Sequence, residues 1–158
     1  MAVASWRNEG DTEMKYKKGY EIIVQETFQV QLEHHPDQDI EIVDFHGHRV
    51  LHFSKRGVLI ISAGYACDGP SGPTIPTKNF IVPATVHDAL YQFQREGFLD
   101  SKVWRLWSDQ IIRRLCKDRK MWVWRRWWIF KGLRLPLGRF GAARAASRAG
   151  IRPILYAP

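Results

Sequence analysis

Between residues 20 and 62 the chain alternates apolar and polar positions with the two-residue period of half-buried strands. The stretch 20–32, YEIIVQETFQVQL, keeps the alternation from Ile23 onward and predicts one strand, or two with a bend near Glu26. EHHPDQD is turn chemistry. IEIVDF over 40–45 is the next strand, His46-Gly47-His48-Arg49 reads as a tight hairpin, and VLHF returns from it. Lys55-Arg56-Gly57 turns again into VLIIS over 58–62. Together these segments predict a small antiparallel meander with one apolar face. Residues 1–19 are polar and mixed in charge and read as an N-terminal arm.

After residue 62 the period changes. Ala63 to Asn79 hold three Gly and three Pro in 17 residues, too many for a regular element. From there the apolar positions recur at helical spacing. A helix is expected over 80–95, with Asn79 as its cap, Pro83 in its first turn and Gly97 ending it. Ser101 is the expected cap of a second helix over 102–117, with Trp104, Trp107, Ile111, Ile112 and Leu115 as its apolar stripe. A third helix is expected from Met121 to about Leu135, where Pro136 and Gly138 break it, and a weaker one over 140–148. The fold class is therefore α+β: a small N-terminal antiparallel sheet (20–62), a Gly/Pro loop (63–79), two antiparallel helices (80–117) and a basic helical tail (121–158). A chain of 158 residues suffices for one such domain.

Charge sharpens this division. Residues 1–100 carry 9 Lys and Arg against 14 Asp and Glu, a net of −5, whereas residues 101–158 carry 15 against 2, a net of +13. The C-terminal third therefore suits an anionic surface: a membrane, or an acidic face of a phage or host protein, with nucleic acid a weaker fit. MWVWRRWWIFKGLR packs four Trp and three Arg into 14 residues. Trp122, Arg125, Arg126 and Trp127 would then meet headgroups and phosphates at a membrane surface. The competing expectation buries the tryptophans against the sheet and the helix pair and leaves the arginines in solvent. No apolar leader and no run of 18 apolar residues is present, so neither a signal peptide nor a spanning helix is expected. The two cysteines, Cys67 and Cys116, read as reduced thiols.

The candidate chemistry gathers around the first helix pair. His87 and Asp88 are helix neighbours about 100° apart, so they serve two adjacent subsites. Tyr91, four residues after His87, shares its face. Asp109 on the second helix can reach the imidazole across antiparallel packing, fixing its tautomer and raising its basicity, as a general base for water requires. Asp68 arrives on the loop with Gly69 and Ser71, in a position to join Asp88 around a divalent cation such as Ca2+. Ser71 has no nucleophile-elbow context. Each residue also has an ordinary reading: a helical His-Asp pair as a structural hydrogen bond, Asp68-Gly69-Pro70 as a turn, Tyr91 as core. Asp68, His87, Asp88, Tyr91 and Asp109 nevertheless fall within 42 positions. His46 and His48 share a face if extended, but the hairpin reading is preferred to a zinc site, which needs further ligands.

The order AGYACDGPSGP, VPATVHDALYQ, SDQIIRRL, WRRWWIFKGLR resembles a domain-of-unknown-function family of tailed-phage and prophage genomes. Its members carry an AGF-x-x-D-x-x-S-x-P loop, an HD-x-L-Y helix, an AD-x-x-F-like helix and a Trp/Arg-rich tail. The resemblance covers about residues 40–135; Ser108-Asp109 with Ile112 stands where the family has Ala-Asp with Phe. It implies a phage-encoded protein, placed in the host cytoplasm or the virion, with no particular activity. The His-Asp-x-x-Tyr helix is also similar to the core of phospholipase A2, although Leu90 replaces a cysteine of that motif and Asp68-Gly69-Pro70-Ser71-Gly72 would have to substitute for the usual form of its glycine-rich calcium loop. That resemblance implies His87 as base, Asp88 as calcium ligand, Asp109 as the orienting acid and Tyr91 bonded to Asp109. The expected function is a phage hydrolase acting on a phospholipid ester or a cell-envelope bond. The alternative is a non-enzymatic virion or tail component, or a host-factor binder, in which the helix pair is a structural network.

Overall fold

The computed structural model describes residues 16–18, 22–67 and 77–134, with the backbone alone at 16–18, Lys78 and Arg134. Asp68, Gly69, Ser71 and the helix expected over 140–148 lie outside the described residues. The chain divides into two compact units that meet in sequence at Asp68 and Gly69, inside the Gly/Pro stretch. The architecture is α+β, with antiparallel sheets in the first unit and helices in the second.

Among the described residues, seven strands build the first unit: β1 (Tyr16–Lys18), β2 (Ile22–Val24), β3 (Phe28–Gln31), β4 (Ile40–Val43), β5 (Arg49–Phe53), β6 (Val58–Ile61) and β7 (Ala66–Cys67). They form two antiparallel sheets, one ordered β1-β2-β7 and the other β3-β6-β5-β4. The expected bend near Glu26 is real, and it sends the two halves of one alternating stretch into different sheets. Two short strands correct the sequence reading: Tyr16–Lys18 is paired rather than part of an arm, and Ala66–Cys67 is strand rather than loop. The alternation of β3 and β4 places Phe28, Val30, Ile40 and Ile42 inward. A register shift between Ile42 and Val43 lets both Val50 and Leu51 bury completely on β5. Gly57 turns β5 into β6 at φ +84°, and a Cβ there would collide with the Leu32 carbonyl oxygen, so the position requires glycine.

The second unit holds α1 (Lys78–Arg95), α2 (Ser101–Asp118) and α3 (Val123–Arg134). Their starts differ from the expected caps. α1 begins two residues earlier, with Thr77 rather than Asn79 at the cap position; the Thr77 hydroxyl bonds the Asn79 side chain instead of a helix N–H. Pro83 is then the sixth helical residue, beyond the first turn, and withholds the N–H that would reach the Asn79 carbonyl. The cap of α2 is Asp100, whose carboxylate accepts from the Lys102 N–H at 2.9 Å, rather than Ser101. At the far end of α1 the Phe98 N–H bonds the Phe93 carbonyl and the Gly97 N–H bonds the Gln94 carbonyl, with Gly97 at φ +79°. This double closure turns the chain back within five residues. The same closure ends α2, but there Lys120 occupies the left-handed position at φ 57°. Phe80 and Ala84 of α1, Ile112 and Cys116 of α2, Met121, and Ile129 of α3 make one buried cluster, with Leu133 packed against it. Both cysteines are free and buried. No helix of the described residues is long and apolar enough to cross a membrane.

Candidate functional site

α1 and α2 pack so that early residues of one meet late residues of the other: Phe80 clusters with Cys116, His87 bonds Asp109, and Gln94 bonds Ser108. That antiparallel seam brings together three of the predicted groups. His87 Nε2 lies 3.1 Å from Asp109 Oδ1, and the Tyr91 hydroxyl donates to the same oxygen at 2.9 Å. The His87 and Tyr91 rings lie 4.2 Å apart, tilted by 35°. The Asp109 side chain is fully buried and the His87 ring is 8% exposed.

An ionised carboxylate has only acceptor oxygens, so the proton shared with Asp109 belongs on Nε2, and Nδ1 is left as the basic nitrogen. Beside Nδ1, at 3.9 Å, stands Asp88 Oδ1. Burial of the ring disfavours its charged form, but the hydrogen bonds and charges of Asp109 and Asp88 outweigh that, and the imidazole pKa is raised above its ordinary 6.5. Burial and the Asp109 charge together push the Tyr91 hydroxyl well above the usual tyrosine range, so it remains a donor. Arg105, one turn before Asp109 on α2, works in the opposite direction on Tyr91.

Three members of this seam were missed by the sequence reading. The Gln94 amide donates to Ser108 Oγ at 2.9 Å and to the Leu90 carbonyl at 3.2 Å, while Ser108 Oγ donates to the Trp104 carbonyl at 2.8 Å. Arg105 is the third. The signal was available: His87, Tyr91 and Gln94 stand at i, i+4 and i+7 on one helix, and Arg105, Ser108 and Asp109 at i, i+3 and i+4 on the next. The expected apolar stripe of α2 is displaced accordingly. Trp104, Trp107 and Ile111 are half-buried, and the buried positions are Ser108, Asp109, Ile112, Leu115 and Cys116.

Asp88 sits off the dyad's face, with its side chain 28% exposed, while its Oδ2 is buried and has no hydrogen-bond partner. A bare carboxylate oxygen is a fitting donor for a hard cation such as Ca2+. Among the described residues, however, no group of three or more His, Cys, Asp or Glu could hold a metal ion. The other expected ligand, Asp68, lies outside them. The described residues thus supply one donor of a calcium set, and no chemical step is assigned to an ion.

The hairpin histidines have a structural explanation. Asp44 Oδ1 accepts the backbone N–H groups of His46 and His48, each at 2.8 Å, and its Oδ2 lies 3.3 Å from His48 Nδ1. Burial disfavours the Asp44 charge, but these bonds win and hold its carboxyl below the ordinary range. At and just before α3 the expected burial of the tryptophans does not occur: Trp122, Trp124, Trp127 and Trp128 are all more than half exposed. Arg125 and Arg126 are half-buried instead, with the Arg125 guanidinium 5.9 Å from the Phe80 ring centroid.

No family model matches the chain, and no match was found among curated proteins or solved structures.

Proposed function

We propose that this protein is a hydrolase in which His87 acts as general base toward water, with Asp109 orienting it. The observation that carries the reading is the pairing of Nε2 with a sealed carboxylate, which leaves Nδ1 as the basic nitrogen next to the partly exposed Asp88. Tyr91 holds the same Asp109 oxygen, so the carboxylate cannot rotate away from the imidazole. Asp88, partly exposed beside Nδ1, positions the attacking water. The substrate class is a phospholipid ester or a cell-envelope bond, and the setting is a tailed phage; both rest on the sequence resemblances. The test is a panel of phospholipid and peptidoglycan substrates with wild type and His87→Ala. A folded variant that loses hydrolysis by about 100-fold or more supports the reading, and equal turnover by both proteins sinks it.

A second reading is favoured by one observation: His87 is only 6% exposed and Asp109 not at all. On that reading the network specifies how α1 and α2 pair, in a virion or tail component or a host-factor binder. It expects His87 substitutions to lower stability while no substrate on the panel is turned over by wild type.

A further inference from the structure

We infer that the outward face of α3 docks on an anionic phospholipid surface, through Trp124, Trp127, Trp128 and Lys131 rather than through Arg125 and Arg126. These four residues stand at i, i+3, i+4 and i+7 and share one helix face. The three indoles are 68%, 51% and 60% exposed, and Trp122, just before the helix, and Val123, its first residue, are 77% and 68% exposed. The opposite face, Arg126, Ile129, Phe130 and Leu133 at the same spacing, is the one turned inward: Ile129 is buried and the other three are half-buried. α3 is therefore apolar on both sides, and the fold uses one of them.

Charge selects the occupant. α3 contains no acidic residue, and residues 101–158 carry a net of +13, with one of their two acids, Asp109, buried. A second copy of this chain would bring two such segments together, against their repulsion. A single-stranded nucleic acid would need cations aligned beside the stacking rings to follow its backbone. Here Arg125 and Arg126 are half-buried instead, Arg125 over Phe80, and the exposed Arg113 of α2 stacks at 5.1 Å from the Phe130 centroid. The outward strip is indole with one cation, Lys131, whose ammonium stands 5.7 Å from the Trp127 ring centroid. Indoles at headgroup depth with a lysine for phosphate, in a segment of strong net positive charge, suit an anionic bilayer.

The inference stands apart from the hydrolase reading and is tested without turnover. The full-length protein is sedimented with phosphatidylcholine vesicles and with vesicles containing phosphatidylglycerol, and tryptophan emission is recorded. Binding to the anionic vesicles with a blue shift is expected. The W124A/W127A/W128A protein should lose roughly tenfold or more in partitioning, and Lys131→Glu should weaken binding to anionic vesicles alone. His87→Asn should bind as wild type does, which separates this result from any loss of activity. Circular dichroism checks that the triple variant is folded; if it is not, the three single variants, each at an exposed position, carry the comparison. No sedimentation with anionic vesicles, or equal sedimentation of wild type and variants, overturns the inference. So does a blue shift obtained only with an oligothymidine strand, or dimerisation that the tryptophan substitutions abolish.

Discussion

The seam between α1 and α2 and the outward face of α3 follow opposite rules. In the seam, polar side chains occupy positions that packing would give to leucine: Ser108 and Asp109 are fully buried, and each has a partner across the seam. On α3, large apolar side chains occupy positions that solvent would give to lysine. The two regions are adjacent in sequence, and the inward face of α3 joins α1 and α2 in the cluster around Cys116. Folding alone requires neither arrangement. A buried ionisable pair costs more to desolvate than an apolar pair of the same size, and exposed tryptophans invite association. The contrast teaches that position on a helix, rather than residue type, separates what stabilises this unit from what it presents to others.

Substitutions test the contrast directly. The largest effect is expected from Asp109→Ala, which strands the His87 ring N–H and the Tyr91 hydroxyl inside; urea unfolding should show a loss of about 3 kcal/mol or more. Trp124→Ala in the same assay should stay within about 0.5 kcal/mol of wild type. Equal losses would mean that the two faces do not differ in kind. Next comes pH. Because the His87 pKa is raised on folding, its contribution is fully present below the ordinary 6.5 and is lost as pH rises through the higher folded-state value. Unfolding free energy measured across that window should fall with pH more steeply in wild type than in His87→Gln, and parallel curves would remove the electrostatic account. Tyr91→Phe deletes one donor to Asp109 while keeping the ring, so a loss of about 1 kcal/mol is expected. The smallest effect belongs to the α2–α3 junction: Lys120→Gly relieves the left-handed backbone and should stabilise by about 0.5 kcal/mol, read as a raised thermal midpoint.

Much of this is legible in the sequence. Alternation located β3 to β6 because each buries one face, but it left one strand or two with a bend near Glu26 open. β1 and β7 were invisible because three and two residues cannot display a period; they are strands through their partner β2, not through their own sequence. The helix starts shifted because cap preference is local, whereas Asp100 and Ser101 competed for the same role and the aspartate reached the Lys102 N–H. Trp104 and Trp107 drew the apolar stripe of α2 toward themselves, yet hydrogen bonding across the seam turned Ser108 and Asp109 inward. His87, Tyr91 and Asp109 were found because i, i+4 spacing and antiparallel pairing are properties of the chain. Gln94 and Ser108 were missed because an uncharged pair announces no chemistry.

The three residues between β2 and β3 carry an evolutionary consequence. Gln25, Glu26 and Thr27 are all the chain that links the two sheets at that point. They are fastened on both sides: the Val24 N–H bonds the Tyr65 carbonyl at 2.9 Å, the Gly64 N–H bonds the Val24 carbonyl at 2.7 Å, and Thr27 Oγ1 accepts the Ala63 N–H at 3.0 Å. A residue inserted there would slip one sheet's register against the other's and turn Phe28 and Val30 outward. The hairpin tip at Gly47, where a Cβ would meet nothing, can absorb added length without disturbing either sheet. Length variation among descendants of this chain should therefore accumulate at the tip and be purged at the bend.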